Sequence, residues 1–330
     1  MLSDVMPDPL KPTLPDLISL HLDGRGSGHA EPPLSATEGA GFHWVHLRRD
    51  AEATPAILSG LGLDPEVLAA LTAEETRPRC TVHGEGILLN LRGVNLDPSE
   101  EPEDMVSVRL WLTAARVVGV WLRPLLAMQD VLDAIERGQG PVSPGDFASK
   151  LALRLADRAE PSVASLNEDI DALEEAVDEP QTDNLRPELS RIRRAAILLR
   201  RFMVPQKDAL STMQIEDVAW LTQRDRIRLR EATERVVRLG EDLDAIRDRA
   251  QVVHEQILDR RSEDLNRRML LLAVISVIFL PLTLVTGLLG VNVAGIPFAD
   301  RSWAFWALSG GMLVLAGGLY LWIRRTGFGR

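Results

Sequence analysis

The sequence predicts an α/β cytoplasmic domain joined by a long helical stalk to two C-terminal transmembrane helices, and three observations carry that prediction. From Met269 to Leu289, and again from Trp303 to Ile323, there is no Asp, Glu, Lys, Arg or His, and each run covers 21 residues. Core helices of soluble proteins rarely run so long without a charge, and about 20 apolar residues suffice to cross the hydrocarbon layer of a bilayer. Between Glu216 and Pro281 there is no proline and only one glycine, Gly240, so one helix is expected to pass through the stalk into the first span. The earlier part of the chain shows short β-rich runs broken by turn residues.

The regions expected are an α/β domain over 1–142, a helical hairpin and stalk over 143–268, and a transmembrane hairpin with a short tail over 269–330. After an opening rich in proline, Leu17–Leu22 reads as a strand that Gly24-Arg25-Gly26-Ser27-Gly28 ends as a turn. That glycine run has neither the dinucleotide spacing nor the Lys-Ser/Thr of a nucleotide loop, so it is not read as a phosphate site. Further strands are expected at His43–Leu47, Cys80–His83, Ile87–Arg92, Val106–Leu112 and Val117–Trp121, mainly linked as hairpins, with Gly84-Glu85-Gly86 as one turn. Helical stretches fit residues 54–72 and 125–137.

After Pro144, Phe147, Leu151, Leu155, Val163, Leu166, Ile170, Leu173 and Val177 recur at helical intervals. Pro180 and Pro187 frame a turn, and a second helix is expected from about Leu189 to Val204, stopping before Pro205. In the stalk, Val236, Leu243, Ala250 and Ile257 repeat every seven residues, interleaved with Leu239, Ile246 and Val253. This seam fits a supercoiled self-assembly surface, and equally a face packed on the chain's own helical hairpin. In the first span Ala273, Ser276, Thr283, Thr286, Gly287 and Gly290 fall near one stripe that continues from Asn266. Small and polar residues on one face of a membrane helix allow close helix packing or line a wet path.

Of the 48 acidic residues 47 precede residue 269, against 33 of the 37 basic ones, so the region before the spans carries an acidic excess of 14. That balance argues against nucleic acid, whose phosphates require a basic surface. It suits a chamber that concentrates cations, or plain solubility. The opening Met1–Pro9 has neither a basic start nor an apolar stretch, so no secretory signal is expected. Arg260, Arg261, Arg267 and Arg268 precede the first span and Arg324, Arg325 and Arg330 follow the second, while the loop carries Arg301 beside Asp300. Both termini are therefore expected on the cytoplasmic side of the inner membrane.

A single cysteine, Cys80, excludes a multi-cysteine zinc cluster. The histidines at 21, 29, 43, 46, 83 and 254 show no helical zinc-enzyme spacing, and His43 and His46 should point to opposite faces of their strand. Nothing indicates a catalytic triad or a nucleophile elbow, so no enzyme activity and no cofactor are expected.

At the end of the first span stands Gly290-Val291-Asn292, followed by Val293-Ala294-Gly295-Ile296-Pro297. This resembles the CorA superfamily of metal-ion transporters, which carries Gly-Met-Asn at the outer end of the first of two C-terminal spans. Valine at the middle position and the Gly-Ile-Pro loop are similar to the zinc-transporting ZntB branch. The likeness extends to Glu74-Glu75-Thr76-Arg77-Pro78-Arg79, Leu88-Leu89-Asn90-Leu91-Arg92-Gly93-Val94-Asn95, Pro102-Glu103-Asp104-Met105-Val106-Ser107, Pro205-Gln206 and Phe279-Leu280-Pro281. It implies a homopentamer in membrane lipid, with an α/β funnel domain in the cytoplasm. It further implies a pore lined by Met269, Ala273, Ser276, Leu280, Thr283 and Gly287, and Asn292 receiving the hydrated metal ion at the mouth. The transported ion is expected to be zinc or another divalent cation, with proton coupling implied by the branch. The alternatives are a magnesium or cobalt channel and, from another class, a membrane-tethered sensor or scaffold.

Overall fold

The computed structural model describes residues 14–35, 40–74, 77–97, 100–177, 185–291, 298 and 301–325. Two compact units divide the chain, Met1–His254 and Glu255–Arg330.

The first unit is built on strands β1 (Leu17–Leu22), β2 (Gly28–Ala30), β3 (Phe42–Arg48), β4 (Arg79–His83), β5 (Gly86–Gly93), β6 (Val106–Leu112) and β7 (Arg116–Trp121). They form one seven-stranded sheet in the order β2-β1-β3-β7-β6-β5-β4. Hairpins join β1 to β2, β4 to β5, β5 to β6 and β6 to β7. The central pair β3·β7 is parallel, with Val45 opposite Val118, so the chain between them must cross over. The β1–β2 turn follows from Asp23, whose Oδ1 accepts from Arg25 N at 2.7 Å and Ser27 N at 3.1 Å. Gly24 and Gly26 take positive φ there. β2 lies immediately after this expected turn, and three residues are too few to show a period.

Helices cover both faces of the sheet. The expected stretch 54–72 is two helices, α1 (Thr54–Gly60) and α2 (Pro65–Thr72), parted near Gly62 at φ +67. Leu58, Leu61, Val67 and Leu71 pack there with Val45, Leu47, Leu88, Val118 and Val120. On the other face lie α3 (Leu126–Glu136), α4 (Pro144–Val177) and α5 (Leu185–Ile215). Trp44 of β3 meets Phe147 of α4 with ring centroids 5.0 Å apart. The N-terminus of α4 is capped by Ser143 Oγ, which accepts from Asp146 N at 3.0 Å, and Pro144 at the first helical position loses no hydrogen bond.

Helix α5 does not stop at Val204. It begins before Pro187 and runs through Pro205 to Ile215. Pro187 falls in the first turn, where its missing N–H has no helical partner to lose. Pro205 gives up one interior bond, and the buried Gln206 beside it accepts Arg92 N of β5 at 2.7 Å, holding the helix on the sheet. The Arg92 guanidinium also lies 4.2 Å above the Phe202 ring. Leu88–Asn95 and Pro205-Gln206 thus meet in one sheet-to-helix contact.

Helix α6 (Gln223–Leu289) starts from a capping box in which Thr222 N donates to Asp225 Oδ2 at 3.0 Å and Asp225 N to Thr222 Oγ1 at 3.3 Å. Within the first unit its seam residues Val236, Leu239, Leu243, Ile246, Ala250 and Val253 are buried. Arg249 grips Glu174 of α4 through Nε at 2.8 Å and Nη2 at 2.6 Å, Arg235 pairs with Asp157 of α4, and Arg200 of α5 pairs with Asp244. The heptad face therefore packs on the chain's own helical hairpin and is not a free surface for self-assembly.

In the second unit α6 continues through Pro281 to Leu289, and α7 (Ser302–Arg325) forms the second long apolar helix. Both are long and apolar enough to cross a membrane, and their apolar windows are unburied within the chain.

Candidate functional site

The first apolar run keeps its polar groups on one side of α6. Met269, Ala273, Ser276, Leu280, Thr283 and Gly287 are spaced alternately four and three apart, which stacks them along one face of a continuous helix. Met269 and Leu280 are well exposed within the chain. A shallow concave strip runs past Ser276, Leu280, Thr283, Gly287 and Val291. A methyl group added at Gly287 would meet no atom within 4 Å, so nothing in the chain itself requires glycine there.

The hydroxyls on this helix are satisfied by their own backbone. Ser276 Oγ donates to Leu272 O at 2.8 Å, Thr283 Oγ1 to Phe279 O at 2.8 Å, and Thr286 Oγ1 to Leu282 O at 3.0 Å. With their protons directed at carbonyls, these oxygens offer lone pairs outward. The helix ends where Gly290 N reaches Thr286 O at 2.9 Å and Gly287 O at 3.2 Å. Gly290 and Val291 lie at this end, while Asn292 falls outside the described residues.

Metal-ligating side chains elsewhere are distributed unevenly. His46 is buried in β3 with its ring stacked 6.1 Å from that of Trp121, and burial pushes its pKa down to about 3. His43 lies on the opposite face of the same strand, also buried, with Nε2 2.9 Å from Ser19 Oγ; burial lowers its pKa too. The pair cannot share a metal, as the strand period requires. Burial, with Glu216 adding to it, pushes the Cys80 thiol up to about 12, which removes it as a thiolate ligand at neutral pH. His83 lies between two carboxylates, with Nε2 3.4 Å from Asp64 and Nδ1 3.6 Å from Glu66. Among the described residues no group of three or more His, Cys, Asp or Glu side chains could hold a metal ion.

The sheet makes one association that spacing along the chain conceals. His29 of β2, His21 of β1 and His43 of β3 are successive cross-strand partners and share one face. Only the strand register reveals this, because β2 carries no sequence period of its own.

Comparison with known proteins agrees with this architecture. The profile of the family described as CorA-like Mg2+ transporter protein matches residues 39–325. The chain is similar to the divalent cation transporter CmaX of Pseudomonas aeruginosa, at 38% identity over 294 residues covering 86% of this chain and 88% of that one. It is 34% identical over 284 residues to the zinc transport protein ZntB of Pectobacterium atrosepticum, covering 86% of each. The solved structure of full-length CmaX matches with a TM-score of 0.79 at 35% identity, over 93% of this chain and 98% of that one.

Proposed function

Because the chain belongs to the CorA-like Mg2+ transporter protein family, we propose that it moves divalent metal cations, zinc foremost, across the inner membrane along the axis of a homopentamer. The observation that carries this reading is the face of α6 bearing Ser276, Thr283 and Gly287, which leads up to Gly290-Val291-Asn292. Two spans cannot enclose a path, so several copies must contribute one helix each. The open space at Gly287 of α6 and at Gly310, Gly311, Gly317 and Gly318 of α7 supports helix-to-helix approach between copies.

The chemistry favours cations. Hydroxyls whose protons are held by Leu272, Phe279 and Leu282 carbonyls face a central path as acceptors only. A ring of Asn292 amide oxygens at the mouth adds neutral acceptors that hold a hydrated ion without the grip of carboxylates, and conduction needs that weakness. On the cytoplasmic side the acidic excess before the spans raises the local concentration of cations. Zinc in first place rests on Val291 in the mouth motif and on the similarity to ZntB. Proton coupling draws on groups outside the membrane, because neither apolar run contains an Asp, Glu, Lys, Arg or His side chain.

Metal uptake by the purified protein in liposomes tests this reading, with zinc and magnesium each measured with and without a pH gradient. Zinc flux is expected to exceed magnesium flux. The reverse order would favour the magnesium channel, and intact oligomers with no flux of either ion would leave the hairpin as an anchor for a sensor or scaffold.

A further inference from the structure

Four arginines stand at the polar ends of the two apolar runs. Arg267 and Arg268 directly precede the first run, and Arg324 and Arg325 are the last two residues of α7. All four are exposed, and among the described residues no hydrogen bond or ion pair reaches their side chains. In the first unit α6 behaves differently, for there Arg235 pairs with Asp157 and Arg249 with Glu174. Carboxylates are scarce at the runs themselves, since none lies between Asp264 and the first run and none follows Asp300.

A chain that crosses a bilayer and returns brings both arginine pairs to the same surface. Successive residues of a helix turn by about 100°, which sets Arg267 about 160° from Met269 and so on the side of α6 away from the proposed path. On α7, Tyr320 and Trp322 are exposed in the last turns, and amphipathic rings of this kind settle at the level of lipid headgroups. A guanidinium fork matches two phosphate oxygens. The phosphate of phosphatidylcholine is accompanied by its own cation, whereas that of phosphatidylglycerol is not. Arg324 and Arg325 also complement the C-terminal dipole of α7, but Arg267 and Arg268 lie in the middle of α6, where no helix end needs them.

We propose that Arg267, Arg268, Arg324 and Arg325 form a collar that binds the headgroup phosphates of anionic phospholipids such as phosphatidylglycerol. The acidic excess of 14 before the spans is repelled by an anionic leaflet, and the collar offsets that repulsion where the stalk enters the membrane. This assignment rests on the two helices crossing the membrane, and it does not depend on which ion is moved.

The full-length protein reconstituted in phosphatidylcholine vesicles tests the collar, with a trace of spin-labelled phosphatidylglycerol or spin-labelled phosphatidylcholine reporting the lipid held at the protein surface. Phosphatidylglycerol is expected to associate about fivefold more strongly, the effect of roughly one arginine engaged per lipid. In 1 M salt the preference should fall below about twofold, because the screening length shrinks to about 3 Å. Replacing all four arginines by glutamine should bring it to about one, with the oligomer checked by size-exclusion chromatography, while Arg301→Gln in the connecting loop should leave it unchanged. Zinc uptake by the same vesicles reads the transport proposal separately, so either can fail without the other. Equal association of the two lipids with the unaltered protein would overturn the collar. So would a preference that survives high salt or the fourfold replacement, or one that Arg301→Gln removes.

Discussion

His46 is 1% exposed in β3, between Trp44 and Trp121, and a methyl group at Gly119 would come within 2.1 Å of its Nδ1. This burial disfavours the charged ring and lowers its pKa from 6.5 to about 3. The unfolded chain therefore binds a proton that the folded chain refuses between those values. This contribution to stability is complete above pH 6.5 and is lost as pH falls toward 3. Between pH 6 and 4 the unaltered protein should lose about 1.4 kcal/mol per pH unit more than His46→Gln, whatever the variant's stability at neutral pH. Unfolding followed by tryptophan fluorescence reads the two slopes, and parallel slopes would show that the ring titrates normally. Asn292 poses a different question, since asparagine just past a helix end also caps it in the left-handed conformation. As the mouth ligand, Asn292→Ala should take flux to background with the oligomer and melting temperature nearly intact. As a cap alone, in the left-handed conformation that alanine resists, it would cost about 1 kcal/mol of stability and keep transport.

The stalk part of α6 shows how one sequence pattern admits two structures. A heptad repeat states that a face is apolar and straight, and it does not name what covers that face. Here α4 and α5 cover it, as the Arg249–Glu174 and Arg235–Asp157 pairs show. Leu243→Asp would place a carboxylate at a fully buried position, costing more than about 4 kcal/mol. The expected outcome is a lower melting temperature of the chain itself. Dissociation of the oligomer at an unchanged melting temperature would return the seam to assembly. The long periodic helices α4 and α6 were legible because their period outlasts any local break. Two features were not. Pro205 looks like a stop, but a packed helix tolerates one lost bond when Gln206 anchors the next turn on Arg92. The β3·β7 pairing joins strands more than 60 residues apart, and no local pattern encodes a parallel crossover.

For the whole molecule, the two apolar runs were the most legible feature, because they depend on composition and not on pairing. Gly290-Val291-Asn292 points to a mouth only through resemblance, since three residues are too few to carry chemistry by themselves, and Asn292 lies outside the described residues. The orientation of the chain rests on a physical asymmetry. Four arginines lie within ten residues before Met269, and Arg324, Arg325 and Arg330 follow Ile323, whereas the connecting loop holds one arginine beside an aspartate. Arginine is retained on the cytoplasmic side during insertion, so both flanks should lie inside and the loop outside. An even number of spans requires the two flanks to agree, and they do. A cysteine at Ser302, the first residue of α7, should therefore react with a membrane-impermeant maleimide added to intact cells in a Cys80→Ala background. A cysteine at Thr326, just past Arg324 and Arg325, should react only after the membrane is opened. The acidic excess of the region before residue 269 would then face the cytoplasm, where it can act on cations entering or leaving the path. Labelling at Thr326 with protection at Ser302 would invert the molecule and place that acidic region outside.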